Sequence, residues 1–330
     1  MINEKIIRNE EKVFHTPLIN GLDKVEEVLY KAISDSHGNT RKICTNLISS
    51  GGKRIRPALV LCTSQCFSEL KEKAIQTAVA YELIHMASLV HDDIIDASTT
   101  RRNRPTVNAQ MGNQVSVLVG DYLFAKAFEI LSSNTLIESM NLVVEAIAQM
   151  CDGEVVQAAN KFNLYQGIDD YYQRIYKKTG ILIAACCQAG AIIGGADEKE
   201  VECLKMYGKN LGYAFQIIDD ILDFTGTEEI LGKPVGNDLK DGNITLPILK
   251  LIQQKEYRLW LQKVFNEGGI TLDKHHQILR LLKDSYALED AYQEAVLCVK
   301  TAKEALRPIK DSDSKRILQE IADKVLKRKN

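Results

Sequence analysis

Residues 75–96 read IQTAVAYELIHMASLVHDDIID. Ile75, Val79, Leu83, Met86 and Val90 recur at steps of three and four, which lines one face of an α-helix. The residues between them are mostly apolar too, as in a helix enclosed within a large bundle. Residues 200–224 repeat the pattern through Leu204, Tyr207, Leu211, Ala214 and Ile218. Each stretch closes on an acidic signature, Asp-Asp-Ile-Ile-Asp at 92–96 and Asp-Asp-Ile-Leu-Asp at 219–223. Elsewhere spacings of three and four dominate, strand-like alternation is rare, and no proline falls between Pro105 and Pro234. Glycine and asparagine clusters at 49–52, 194–196 and 226–242 punctuate helices. The expected fold is all-α.

The 330 residues are 45% apolar and 26% charged, with a net charge of −2, a globular balance that argues against disorder and against bulk nucleic-acid binding. No apolar run is long enough to span a membrane, and the charged N-terminus, MINEKIIRNEEKVF, lacks a secretory apolar segment. Eight cysteines without a C-x-x-C pair suggest neither a disulfide framework nor a zinc site, and read as reduced thiols of a cytoplasmic protein. Nothing resembles a linker, so 1–330 is expected to be a single domain. Residues 1–20 form an N-terminal arm and 255–330 form peripheral, more polar helices carrying no evident chemistry.

In a helix, residues four apart share a face, so Asp92 pairs with Asp96 and Asp219 with Asp223. Asp93 and Asp220 turn about 100° away. Like charges at this spacing destabilise a helix by a few tenths of a kcal/mol, and by more when half-buried, unless a cation neutralises them. Hard oxygen donors suit Mg²⁺, which keeps several waters and is completed by phosphate. Two facing pairs would clamp a metal–diphosphate. A single copy reads equally well as a solvated acidic face; two copies on apolar helices do not.

Cations flank the first signature. Arg101-Arg102-Asn103-Arg104-Pro105 follows it, and Gly51-Gly52-Lys53-Arg54-Ile55-Arg56-Pro57 lies upstream. Arginine forks match phosphate oxygens, and glycines allow close backbone approach, although either cluster alone also reads as a surface patch. His85 lies two helical turns before Asp92 on the same face, so core residue and ligand are both open readings. His91 points elsewhere and reads as structural. Lys178-Thr179-Gly180 and Gly232-Lys233-Pro234 carry lysines that solvated positions would also explain.

Together GGKRIRP (51–57), HMASLVHDDIID (85–96), RRNRP (101–105), YKKTG (176–180), GYAFQIIDDILDFTG (212–226) and GKPVGNDLKDGNITLP (232–247) resemble the trans-polyprenyl diphosphate synthase family. The resemblance covers residues 40–250 in the family's order, and is nearest the long-chain branch of octaprenyl synthases and heptaprenyl synthase large subunits. It implies an isoprenoid-synthase-type helical bundle around a central apolar cavity, normally dimeric. It also implies Mg²⁺-dependent condensation of isopentenyl diphosphate with an allylic diphosphate. By matching positions, Asp92, Asp96 and Asp219, supported by Asp93 and Asp223, would hold Mg²⁺. Arg101, Lys178, Thr179, Gln216 and Lys233 would contact the allylic substrate. Lys53, Arg56, His85 and Arg102 would hold isopentenyl diphosphate. The family commonly has glycine where Asn103 stands; asparagine tolerates left-handed backbone, so the loop survives the change.

Product length is expected to follow from volume. Ser88 and Ala87, four and five residues before Asp92, are small where short-chain relatives place bulky aromatics, so a product longer than C20 is expected. Further back on this face, Ile84 and Tyr81 are placed to narrow or floor the tunnel. Tyr81, about 16 Å below Asp92 at 1.5 Å per residue, either floors it or is simply buried between helices. A terpene cyclase on the same scaffold is disfavoured by the fully acidic second signature and by aromatics at 6%. An inactive binding subunit is disfavoured because both signatures are intact. A catalytic subunit that needs a small partner stays open, and the lipid product would pass to a membrane.

Overall fold

The computed structural model describes residues 16–102, 104–226, 236–267 and 270–328. These residues are overwhelmingly helical. The first helices are α1 (Thr16–Ala32), α2 (Gly38–Ser49), α3 (Ile55–Gln65) and α4 (Glu72–Ile95). A two-residue antiparallel ribbon, β1 (Thr100–Arg101) with β2 (Arg104–Pro105), pairs Arg101 with Arg104. There follow α5 (Val107–Met111), α6 (Asn113–Ser133), α7 (Ile137–Ala159), α8 (Ile168–Ile175), a π-helical turn (Tyr176–Gly180), α9 (Ile181–Gly194) and α10 (Glu198–Thr225). The remainder comprises α11 (Asn237–Lys240), α12 (Leu246–Leu251), α13 (Lys255–Asn266), α14 (Leu272–Asp284), α15 (Ala287–Ala305) and α16 (Asp313–Leu326).

Contacts gather these elements into two compact units, with boundaries inside helices. The first comprises the chain up to Val143 with Ala185–Lys205 and Leu306–Ile321; the second comprises Val144–Ala184, Met206–Ala305 and the chain from Ala322. In the first unit α4 is the central rod. Thirteen consecutive positions from Ile75 to Ala87 include eleven buried ones, as the all-round apolar pattern predicts. It packs against α1, α3 and α6. The one carboxylate buried in its middle, Glu82, accepts a 3.0 Å hydrogen bond from Arg54, whose guanidinium also pairs with Glu26 of α1. A buried charge needs such a partner, and Arg54 thereby ties α1, α4 and the turn before α3 together. Pro57 is tolerated in the first turn of α3 because its missing N–H would have no intrahelical acceptor there.

In the second unit the helices of the 255–330 stretch are amphipathic. α15 buries Ala287, Ala291, Ala295, Cys298, Val299 and Ala302 along one stripe and packs against α12. Residues Thr16–Asn20 of the expected arm already belong to α1. All eight cysteines are unpaired, and no described helix is long and apolar enough to cross a membrane.

Candidate active site

In the first unit, α4 ends on the first signature. The Asp96 N–H closes the helix onto the Asp92 carbonyl at 2.8 Å, and Ala97 then turns left-handed at φ 48°. Asp92 is half-buried and Asp96 exposed, so both oxygen sets reach solvent. Asp93 points inward, only 5% exposed, and takes a forked contact from Arg101 of β1. Arg101 Nε donates at 2.9 Å to Asp93 Oδ1 and at 3.2 Å to Oδ2, while Nη2 lies 2.8 Å from Oδ1. The ribbon thus hangs from the end of α4 by an ion pair, and its turn presents Arg102 at φ 52°. Asn103 lies outside the described residues.

Arg102 reaches back over Gly52: a Cβ there would sit 3.1 Å from the Arg102 guanidinium, a tight approach. Burial and the surrounding Arg56, Arg102, Arg101 and Arg54 push His85 well below its ordinary pKa, so it is neutral. Burial, and then Arg101, likewise lower Arg102. A half-buried neutral imidazole among four guanidinium groups is an anion well, which explains why so many like charges converge. Arg56, His85 and Arg102 are therefore brought together by α3, α4 and the ribbon, and Lys53 stands two residues before α3. The left-handed residues Arg54, Ala97 and Arg102 all sit here, and strain of this kind gathers at functional sites. His91 faces away, its Nε2 3.2 Å from the Val117 carbonyl and its ring against Phe124.

Below the signature on α4, Ala87 and Ile84 are buried and Ser88 is half-buried, its hydroxyl donating to the His85 carbonyl at 2.9 Å. Tyr81 is fully buried and its hydroxyl donates to the Ser139 carbonyl on α7 at 2.9 Å.

In the second unit, the second signature sits near the C-terminal end of α10. Gly212 makes the local architecture possible: a Cβ there would come within 2.5 Å of the Gly180 Cα, so two backbones touch. One turn on, Thr179 donates its hydroxyl to Gln216 Oε1 at 2.7 Å. The π-turn that carries Lys178 and Thr179 is a form that recurs at functional sites, and Lys178 lies 3.1 Å from Glu154 of α7. Lys233 lies outside the described residues.

Asp219 is half-buried, and Arg328, after α16, sets Nη1 2.9 Å from Asp219 Oδ1 while its guanidinium stacks 3.9 Å over the Phe215 ring. That N–H is not aimed at the oxygen, so this is attraction of charge rather than a directed hydrogen bond. Asp220 is 2% exposed and accepts from Tyr171 at 2.7 Å and Gln216 at 2.9 Å. Burial and then Asp238 push its carboxyl up to about 7, against those donors and Arg174. Asp223 accepts the N–H groups of Asn237 and Asp238, both at 3.2 Å, capping α11; burial and then Asp238 raise it to about 7 as well. Arg328, Tyr171 and Glu154 are contacts that sequence reading did not anticipate. Arg328 lies in the stretch to which no chemistry was assigned, and no local spacing links any of the three to its partner.

Asp92 and Asp96 in the first unit and Asp219 in the second each offer carboxylate oxygens that are half-buried or exposed, and Asp219 already attracts a cationic side chain. That suits a hard cation that keeps waters and phosphate oxygens. Among the described residues no three acidic, histidine or cysteine side chains form a closed metal cage.

A helical scaffold carrying two such acid-tipped helices, one beside an anion well, is that of a prenyltransferase. Over residues 37–282 the chain matches the model of the polyprenyl synthetase family, and it belongs to that family. It is 39% identical over 292 residues to heptaprenyl diphosphate synthase component 2 of Geobacillus stearothermophilus, covering 87% of this chain and 91% of that protein. It is 36% identical over 315 residues to a short chain isoprenyl diphosphate synthase of Methanothermobacter thermautotrophicus, covering 93% and 96%. The crystal structure of heptaprenyl diphosphate synthase from Staphylococcus aureus superposes with a TM-score of 0.90 at 36% identity, covering 95% of this chain and 99% of that one.

Proposed function

We propose that the chain, acting as one catalytic domain over 1–330, joins isopentenyl diphosphate head-to-tail to an allylic diphosphate such as farnesyl diphosphate. The product is an all-trans polyprenyl diphosphate longer than C20. The observation that carries this reading is the anion well around neutral His85, built two helical turns before the first acid signature. It supplies a diphosphate site that ionisation of an allylic ester alone would not require.

Asp92, Asp96 and Asp219, with Asp93 and Asp223 in support, would hold Mg²⁺. When bound, the ion supplies positive charge for the leaving diphosphate as the allylic C–O bond breaks. Arg101, Lys178, Thr179, Gln216 and Lys233 would meet the same developing charge with prepositioned donors, which need no reorganisation as the bond breaks. Asp93 fixes the direction of Arg101 through the forked pair. Lys53, Arg56, Arg102 and His85 would hold the second diphosphate, leaving its alkene to attack the allylic cation. The buried apolar wall of α4 keeps water from that cation. The proton released then leaves with the departing diphosphate, so no protein nucleophile is needed.

Purified chain incubated with farnesyl diphosphate, labelled isopentenyl diphosphate and Mg²⁺ is expected to yield labelled lipid longer than C20. Absence of any condensation, alone or with a partner, overturns the reading. The component 2 name of the Geobacillus relative favours a second form of it, in which the chain is silent alone and active with a small non-identical subunit. The homodimer, the cytoplasmic setting and delivery of product to a membrane belong to the same proposal. Ala87 and Ser88 leave the path for the growing tail open, Ile84 narrows it and Tyr81 closes it. Tyr81→Ala should therefore lengthen the product, read by chromatography of the dephosphorylated lipids. Tyr81→Phe, which keeps the ring and loses only the bond to Ser139, should leave length unchanged at a stability cost of about 1 kcal/mol.

A further inference from the structure

Of the six aspartates in the two signatures, Asp220 alone has no role above. We propose that Asp220 is a positioning residue, which with Tyr171 locks the Gln216 amide so that an N–H faces the allylic diphosphate. The inference rests on the assignment of Gln216 to that substrate. An amide is ambivalent toward an anion: its nitrogen attracts a phosphate oxygen and its carbonyl repels it. The two orientations differ by a half-turn of one bond, so something must choose between them.

Here both ends of the amide are held. Asp220 Oδ1 accepts Gln216 Nε2–H at 2.9 Å, which turns the nitrogen toward the carboxylate. The Thr179 hydroxyl donates to Gln216 Oε1 at 2.7 Å, which caps the carbonyl. One Nε2–H then remains for an anion. Tyr171, fully buried on α8, donates to the other Asp220 oxygen at 2.7 Å and keeps the carboxylate from rotating. Tyr171 also stands two helical turns before Thr179, so the same bond sets the approach of α8 and the π-turn to α10. The order of donation along Tyr171, Asp220, Gln216 and Thr179 leaves no orientation of the amide unspecified.

The test is steady-state kinetics on the full chain, with its partner subunit if activity needs one, varying farnesyl and isopentenyl diphosphate separately. Asn at 220 keeps one acceptor oxygen where the carboxylate offers two, so Asp220→Asn can no longer accept from Tyr171 and Gln216 together and loosens the hold on the amide. Asp220→Asn is expected to raise KM for farnesyl diphosphate about tenfold, the scale of one charge-assisted hydrogen bond, with KM for isopentenyl diphosphate within about twofold. Tyr171→Phe, which keeps the ring and removes the O–H, should raise the same KM about threefold. Combined with Gln216→Ala, neither change should add anything, because no amide is left to orient. Effects that add in that background, or that move both KM values together, overturn the proposal. If Asp220→Asn does not fold, the Tyr171→Phe cycle decides by itself. Gln216→Ala with an unchanged farnesyl KM would instead overturn the underlying placement of Gln216 on the substrate.

Discussion

Asp93 and Asp220 hold the same second place in their signatures and are equally hidden, at 5% and 2% exposed, yet they answer to different chemistry. Asp93 faces the full charge of Arg101, delivered by a ribbon eight residues downstream. Asp220 takes its hydrogen bonds from the neutral donors Tyr171 and Gln216, the first from a helix 49 residues upstream. The fifth positions differ too: Asp96 stands exposed at a helix end, while Asp223 caps α11 through two backbone N–H groups. A five-residue spelling thus specifies which carboxylates turn inward, through helical phase, but not what meets them there. In both copies the inward aspartate is tied to a proposed substrate contact, Arg101 in one and Gln216 in the other. The outward Asp92, Asp96 and Asp219 are the ones proposed to meet the cation.

The largest expected effect tests that division of labour. Asp92→Ala or Asp219→Ala should lower turnover by about a hundredfold to a thousandfold, the scale for removing a group that supports charge in the transition state. Thermal midpoints should stay close to that of the parent, because Asp92 and Asp219 are only half-buried and the poorly aimed ion pair of Asp219 with Arg328 contributes little. Product formation and a melting curve on the same preparation check both halves. Variants that unfold, instead of merely losing turnover, would show the outward pair to be structural and erase the contrast with the inward one.

A smaller effect separates the inward aspartates from each other. Asp93→Asn leaves Arg101 without its counter-charge and should cost about 1.5–3 kcal/mol, as for hydrogen bonds to charged groups. Asp220→Asn faces neutral donors and also relieves a buried charge, so it should cost about 1 kcal/mol or less. Urea unfolding of the two variants compares them directly, and the reverse order would mean that Arg101, Tyr171 and Gln216 do not set the energetics.

How far the sequence carried is itself explained by which signals are local. Apolar spacing marked α4 and α10 because a buried helix writes its period into its own residues. The ribbon at 100–105 has two residues per strand, too few for any alternation to register. The π-turn at 176–180 inserts one residue into a helical pattern that otherwise continues through Ile181, and YKKTG reads as helix followed by a break. The glycine contact between 180 and 212 was visible only as two separate glycines in two motifs. Among the site residues, Asp93 with Arg101 and His85 with Arg101 and Arg102 lie within one short span of chain, whereas Arg54 and Arg56 reach His85 from about thirty residues upstream. Tyr171 with Asp220, Glu154 with Lys178 and Arg328 with Asp219 join distant segments, and single-chain periodicity carries no trace of such pairs.

The smallest effect concerns the asymmetry between the outward pairs. Asp219 has a guanidinium 2.9 Å away, whereas in the first signature Arg101 pairs with the inward Asp93. Arg328 and a divalent cation would compete for the same oxygen. The ion pair is poorly aimed and its carboxylate about one-third open, so it is worth about 0.5–1 kcal/mol, which converts to about two- to fivefold in an equilibrium constant. Arg328→Ala should therefore tighten Mg²⁺ binding by that factor, measured by calorimetric titration without substrate, and the gain should shrink as salt is raised. The control is Arg328→Lys, which keeps the charge and loses the stacking on Phe215, and should leave Mg²⁺ affinity near the parent value. If Arg328→Ala instead weakens Mg²⁺ binding, Arg328 helps to build the cation site rather than contesting it, and the two signatures are more alike than their partners suggest.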